Sequence, residues 1–384
     1  TLNSQRPDGF FGPDNDDWWP RMVMLKALMQ YHGATSDKRV PLFCMRYFRY
    51  QFEHLREKPL ETWGAARAGE NMLAALWLYN LTGKRFLLEL CRMLAAQGLD
   101  WTGWLTTFPL TRPTAKAYPW SELKEQVQKE GKDIRQFYTR QYHLTHVVNV
   151  AMGLKTPALN ALIAGGMKHE AAFRAGYEKL MKYHGVAIGM FTGDEHLAGP
   201  SPAQGTECCA VVELMYTLET LLWASGDPYA GDVLEKLAFN ALPATLSADR
   251  KGHQYLQQVN QVECSLAQRP FYNNGPDANL YGLEPHFGCC TANMHQGFPK
   301  YAASLWMASA DGGLAAMSYA PCTVRYRLNG APVRLAVETD YPYGETVRIR
   351  AEHKAPCAFP LHLRIPEWAE GATLTLPDGQ ILSC

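Results

Sequence analysis

The chain has 384 residues, 47% of them apolar and 19% charged, so it can bury more core than one small domain needs. Lys plus Arg and Asp plus Glu both number 37, which removes any charge bias toward nucleic acid or an anionic membrane surface. No stretch approaches the roughly twenty uninterrupted apolar residues of a membrane span, so neither partner is expected.

Between about residues 17 and 245, helix-length segments with an apolar period of 3.6 alternate with short loops. They cover 18–31, 65–81, 84–97, 143–154, 170–184, 209–224 and 229–242. Thr82-Gly83-Lys84 and Ser225-Gly226-Asp227-Pro228 each close one helix and open the next. About ten to twelve paired helices without an exact repeat predict a mainly α chain, an α/α toroid rather than a bundle or a solenoid. Two stretches interrupt the pattern: 186–206, rich in Gly and Pro, and 249–290, dense in Asn, Gln, His and Tyr. Loops of that length inside a compact domain are usually functional.

After about residue 310 the texture becomes short and alternating, at 317–319, 322–328, 333–339, 345–351 and 361–365. Asn329-Gly330, Pro342-Tyr343-Gly344 and Pro377-Asp378-Gly379 read as the turns between them. This predicts a C-terminal β-sandwich cut off before it closes, and two domains, residues 1–310 and 311–384. The chain starts at Thr1 and stops at Cys384 in strand-like sequence. A longer parent protein is therefore expected, with a periplasmic or a cytoplasmic home left open.

Both interrupting stretches lead into a cysteine doublet: Cys208-Cys209, directly after Glu207, and Cys289-Cys290, about eighty residues on. Adjacent cysteines rarely bond to each other, because the ring that forms is strained. The other six cysteines follow no disulfide framework. One carboxylate with three thiolates would suit zinc, which takes soft sulfur ligands where hard cations prefer oxygen. With no CxxC pair, spacing alone does not separate that site from cysteines buried as small apolar side chains. Nor does it tell a structural zinc from a catalytic one.

Gly205-Thr206-Glu207-Cys208-Cys209 with the helix after it, and His286-Phe287-Gly288-Cys289-Cys290, resemble glycoside hydrolase family 127, the β-L-arabinofuranosidase-like enzymes. Trp63-Gly64-Ala65-Ala66-Arg67, Thr192-Gly193-Asp194-Glu195-His196, Glu338-Thr339-Asp340-Tyr341-Pro342 and Leu363-Arg364-Ile365-Pro366 extend the likeness over nearly the whole chain. The resemblance implies a retaining glycosidase on an (α/α)6 barrel with β-sandwich partners. It implies Zn2+ held by Glu207, Cys209, Cys289 and Cys290, with Cys289 as nucleophile and Cys208 as a buried neighbour. Glu195 matches the glutamate acid/base, with Asp194 as the alternative; a pKa raised by its loop and the anionic cluster is expected for it.

His146 matches a sugar-contacting histidine, and His143 competes for that role. Arg67 and Glu70, one turn apart, form a simple ion pair or bind substrate; Tyr272 is a further substrate candidate. Asp16, Asp17, Trp18, Gln258, Asn260 and Glu284 stand behind them. Many family members carry a histidine near the position of Glu70, and this chain does not, which bears on sugar specificity. The implied substrate is a non-reducing terminal β-L-arabinofuranosyl, or related furanosyl, residue of a plant-type glycan. The same scaffold acting on another pectin sugar, such as an aceric acid residue, is the near alternative. From other classes come a non-catalytic carbohydrate-binding protein with a structural zinc, and a barrel lyase or hydrolase of uronic acids that needs no cysteine.

Overall fold

A computed structural model describes residues 1–15, 17–164, 170–282, 288–328, 331–353 and 357–384. Helices fill the chain to Ala303, and strands dominate after it. Helices Ala68–Thr82 and Cys208–Ser225 stop where their glycines predict, at Gly83 and Gly226, both left-handed with φ of 66° and 68°. The Asp227 side chain then accepts from the Tyr229 N–H and opens Pro228–Lys236.

Cys208–Ser225 is the central helix. Val211, Val212, Leu214, Met215, Leu218, Leu221 and Leu222 are all buried, so most of its circumference is apolar and packed. Truncating any one of its leucines to alanine should cost about 2–5 kcal/mol. The windows Val147–Ala164 and Cys208–Ser225 are apolar and long enough to cross a membrane. Being 72% and 78% buried inside the fold, they are core helices.

One predicted helix is broken. The segment 143–154 divides into Arg140–Thr145 and Val147–Gly153, because His146 is extended (φ −66°, ψ 120°). Its backbone pairs with His196 across the first long loop, and the Val147 N–H donates to the Glu195 carbonyl at 2.8 Å. The loop 186–206 is likewise not structureless. It carries the two-residue strands Met190–Phe191, Gly193–Asp194, His196–Leu197 and Thr206–Glu207.

At the C-terminal end, Cys322–Leu328, Ala331–Thr339 and Val347–His353 form an antiparallel sheet in which Leu335 faces Val324 and Ala351. Trp306–Ala308, Leu314–Ala316 and Leu361–Leu363 form a second. Leu314, Val333 and Leu335 close a small core, with Trp306, Val324 and Ile349 around it. The predicted strand 317–319 is not one: the Met317 and Ser318 N–H groups both turn onto the Leu305 carbonyl, and the strand lies at Leu314–Ala316 instead. The Asn329-Gly330 turn lies outside the described residues. This region docks on helix Pro228–Lys236 through a buried ionic cluster. The Arg364 guanidinium meets Asp232 and Glu235, and the Tyr341 hydroxyl and Trp368 indole also donate to Glu235. Gly231 makes room, since a Cβ there would fall 2.7 Å from the Arg364 chain.

Candidate active site

Four short strands, in the order His196–Leu197, Gly193–Asp194, Thr206–Glu207 and Leu256–Gln257, bring the two interrupting stretches into one small sheet. A Cβ at Gly193 would fall 2.6 Å from Val147, so only glycine lets this sheet lie against the helix that begins there. Glu195 is the tip between paired Asp194 and His196, and its φ of 74° is a left-handed conformation that a glutamate seldom adopts.

Three anchors hold Glu195: its carbonyl takes the Val147 N–H, and its two carboxylate oxygens face His146 and Tyr255. His146 Nδ1 accepts the Asn149 N–H at 3.3 Å, which leaves the ring proton on Nε2. That nitrogen lies 3.3 Å from Glu195 Oε2, while the Tyr255 hydroxyl donates to Oε1 at 2.5 Å. Burial by itself would raise the Glu195 pKa, but the hydrogen bonds from His146 and the Tyr255 hydroxyl prevail and hold it at about 2. The expected rise is overturned. Asp194 differs from its neighbour: fully buried, it accepts from the Asn273 N–H at 2.7 Å and side-chain amide at 3.2 Å, and burial lifts its pKa to about 6.

Beside this acid lies a second group of titratable side chains. Glu207 ends its strand in extended conformation, and the central helix starts at the next residue. The doublet Cys289-Cys290 begins the short helix Gly288–Asn293, steadied by a 2.9 Å contact between Thr291 Oγ1 and His253 Nε2. The donor atoms of Glu207, Cys209, Cys289 and Cys290 all lie within 4.8 Å of one another, with Cys209 and Cys290 sulfurs 3.3 Å apart. Cys208 is buried in the apolar core and is not among these four. His286 and Phe287 lie outside the described residues.

Acidic groups this close cannot all be ionised without a cation between them. The protein alone therefore concentrates charge on Cys289, whose pKa falls to about 3 because the Cys209 and Cys290 thiols donate to it. The pKa values of those two thiols and of the Glu207 carboxyl are pushed well up, Glu207 and Cys290 chiefly by burial and Cys209 by its bond to Cys289. Glu207 Oε2 is buried and makes no hydrogen bond among the described residues. An orphaned carboxylate oxygen and three converging sulfurs fit a thiolate-seeking divalent metal such as zinc. Three of the four residues are buried, and Cys289 is exposed.

The other candidates divide. Arg67 does not pair with Glu70. Its Nε donates to Asn149 Oδ1 at 2.7 Å, and its guanidinium lies over the rings of Trp19 and Trp63. Trp63 in turn stands edge-on to His143 and His146. His143 is buried against Asn149, not against Glu195, and burial lowers its pKa to about 3. The Glu70 side chain, 2% exposed, is ion-paired to Lys155 and Lys26 in the core. Tyr272 neighbours Asn273 and is 38% exposed.

Trp18 is core, its indole bonded to the Lys58 carbonyl, and Asp17 accepts the Trp19 N–H. Gln258 donates to the Ala203 carbonyl, and Asn260 is exposed. Asp16 and Glu284 lie outside the described residues. Sequence reading missed Tyr255, which nothing singles out from the polar and aromatic residues around it; it directly precedes the strand Leu256–Gln257, which reaches the site by pairing with Thr206–Glu207.

Burial raises the Glu70 pKa, but Lys155 and Lys26 outweigh it and bring it to about 2, below the ordinary 4.5. Its charge therefore stabilises the fold fully above pH 4.5, and that contribution is lost as pH falls toward 2, amounting to about 3 kcal/mol. Glu70→Gln should unfold at lower denaturant at pH 7, with the gap to the parent narrowing between pH 4.5 and 2. An equal gap at both ends would contradict the pairing.

The sequence profile of the β-L-arabinofuranosidase GH127 catalytic domain matches residues 2–303, and that of the GH127 middle domain matches residues 313–382. The chain belongs to the GH127 family. Solved structures agree with that placement at the level of fold. A GH127 β-L-arabinofuranosidase from Geobacillus stearothermophilus T6 superposes with a TM-score of 0.69 at 19% identity, over 96% of this chain and 60% of that one. A glycoside hydrolase gives 0.63 at 18% identity, over 100% and 63%. A further GH127 β-arabinofuranosidase gives 0.52 at 15% identity, over 96% and 65%. This GH127 chain thus spans about three fifths of the length of the structures it resembles. No curated protein matches the sequence.

Proposed function

We propose that this chain is the catalytic part of a retaining glycoside hydrolase that removes terminal β-L-arabinofuranosyl, or related furanosyl, residues from plant-type glycans. The observation that carries the reading is the unequal exposure of the thiol cluster, in which three donors are buried and Cys289 faces outward. On this reading residues 1–310 form an (α/α)6 barrel and 311–384 belong to a β-sandwich. Glu207, Cys209, Cys289 and Cys290 would hold Zn2+. Zinc there would keep the sulfurs ionised at neutral pH, where a free cysteine with a pKa of about 8.5 is mostly thiol.

Cys289 Sγ attacks the anomeric carbon and forms a carbon–sulfur bond as the bond to the leaving oxygen breaks. Glu195 gives that oxygen a proton. Glu195 then takes a proton from water, whose oxygen displaces the sulfur and returns Cys289 as thiolate. Two inversions at one carbon give retention. Alone, Glu195 rests as a carboxylate held by His146 and Tyr255, already suited to the second step. A sugar over its partly exposed side chain excludes water and raises its pKa toward what the first step needs. His146 orients the carboxylate, Arg67 supports the His143–Asn149 side of the pocket, and Tyr272, next to the Asn273 that binds Asp194, would contact substrate.

The test is zinc stoichiometry of freshly purified, reduced protein together with sugar release from synthetic furanosides. One zinc per chain is expected, with arabinose release that a chelator abolishes and zinc restores. Zinc-free active protein, or zinc-loaded protein inert on every furanoside, would overturn the reading.

A further inference from the structure

The face of the central helix that carries Cys209 also holds polar residues. Glu213 lies one turn on and Glu219 beyond it, both buried, with the partly buried Tyr216 between them. Glu213 is the junction of this face. Its carboxylate receives Lys26 Nζ from helix Trp19–Thr35 at 3.0 and 3.1 Å, and Gln296 Nε2 at 3.4 Å. Lys26 also reaches Glu70 at 3.0 Å, and Glu70 takes Lys155. Lys300, on helix Gly297–Ala303, bonds to Gln296 and lies 3.8 Å from the Tyr216 ring.

Such a network is costly to bury, and apolar residues of equal volume generally serve stability as well. What it supplies here is location. Gln296 sits six residues past Cys290, just after the single-turn helix that carries the second doublet. That helix has too few internal hydrogen bonds to fix its own place. The contact with Glu213 straps it to the helix of Cys209, in a pair of segments 81 residues apart in sequence whose sulfurs are 3.3 Å apart.

We infer that Glu213 is a positioning residue for the thiol cluster, holding the Cys289–Cys290 segment against the helix of Cys209 so that the four donors converge; this rests on the zinc reading above. Groups outside the ligand set that orient it are commonly worth 10–100-fold in metal affinity. Glu213→Leu, which removes the acceptor of Gln296, should therefore weaken zinc binding 10–100-fold in chelator competition and change the thiolate-to-metal absorption of the cobalt-loaded protein. Glu219→Leu, buried on the same helix ten residues from Cys209 and with no bond to Gln296, should leave affinity within about twofold and the spectrum unchanged.

Equal zinc loss in both variants, or parent-like affinity in Glu213→Leu, would overturn the inference. Should Glu213→Leu not fold, Gln296→Leu removes the half-buried end of the same contact, and the same weakening is required of it. Failure of the zinc reading shows separately, as a parent protein that binds no zinc.

Discussion

Cys289→Ser is expected to lower kcat/KM on an arabinofuranoside by roughly four orders of magnitude or more, the scale on which nucleophile deletions act. A serine hydroxyl has the shape but not the acidity, and no other sulfur of the cluster is exposed. Glu207, Cys209 and Cys290 remain, so the variant should still bind zinc, more weakly, and keep its fold. Intact-mass analysis with a slow substrate should find one added pentose on the parent, mapped to Cys289, and none on the variant. Activity within tenfold of the parent would remove Cys289 from the reaction. Loss of zinc and of cooperative unfolding together with activity would mark the site as structural.

Arg364→Met should be among the most damaging single changes outside the site. The Arg364 side chain is 2% exposed and neutralises Asp232 and Glu235, and Glu235 also receives Tyr341 and Trp368. Methionine fills much of the volume beside Gly231 but leaves two carboxylates facing each other in a largely dry contact. Removing one partner of a buried ion pair costs about 3–5 kcal/mol. Urea unfolding followed by tryptophan fluorescence and by circular dichroism should show one transition for the parent. The variant should show two, the strand region leaving first. A single transition displaced by less than about 1 kcal/mol would mean that apolar contacts alone hold the two regions together.

The features legible in sequence were those whose signal is local. Gly83 and Gly226 ended their helices because a left-handed residue is read from one position. The doublets pointed to a metal because each carries its chemistry within two residues. What could not be read was decided by distant partners. The break at His146 depends on a backbone pairing with His196 fifty residues away. Glu70 has an arginine one turn before it in sequence, but in space two lysines reach it first. The Glu195 pKa moved opposite to expectation because Tyr255 and His146, unseen as its partners, outweigh burial.

The left-handed backbone of Glu195 has an evolutionary consequence. At φ 74° any residue with a Cβ is disfavoured relative to glycine, by about 1–2 kcal/mol. A lineage selected for thermal endurance alone would drift toward glycine here, and the loop would keep its path, because Val147 and His196 hold it by main-chain contacts. A carboxylate at this position is therefore a trade of stability for chemistry, and the position offers a way to separate the two.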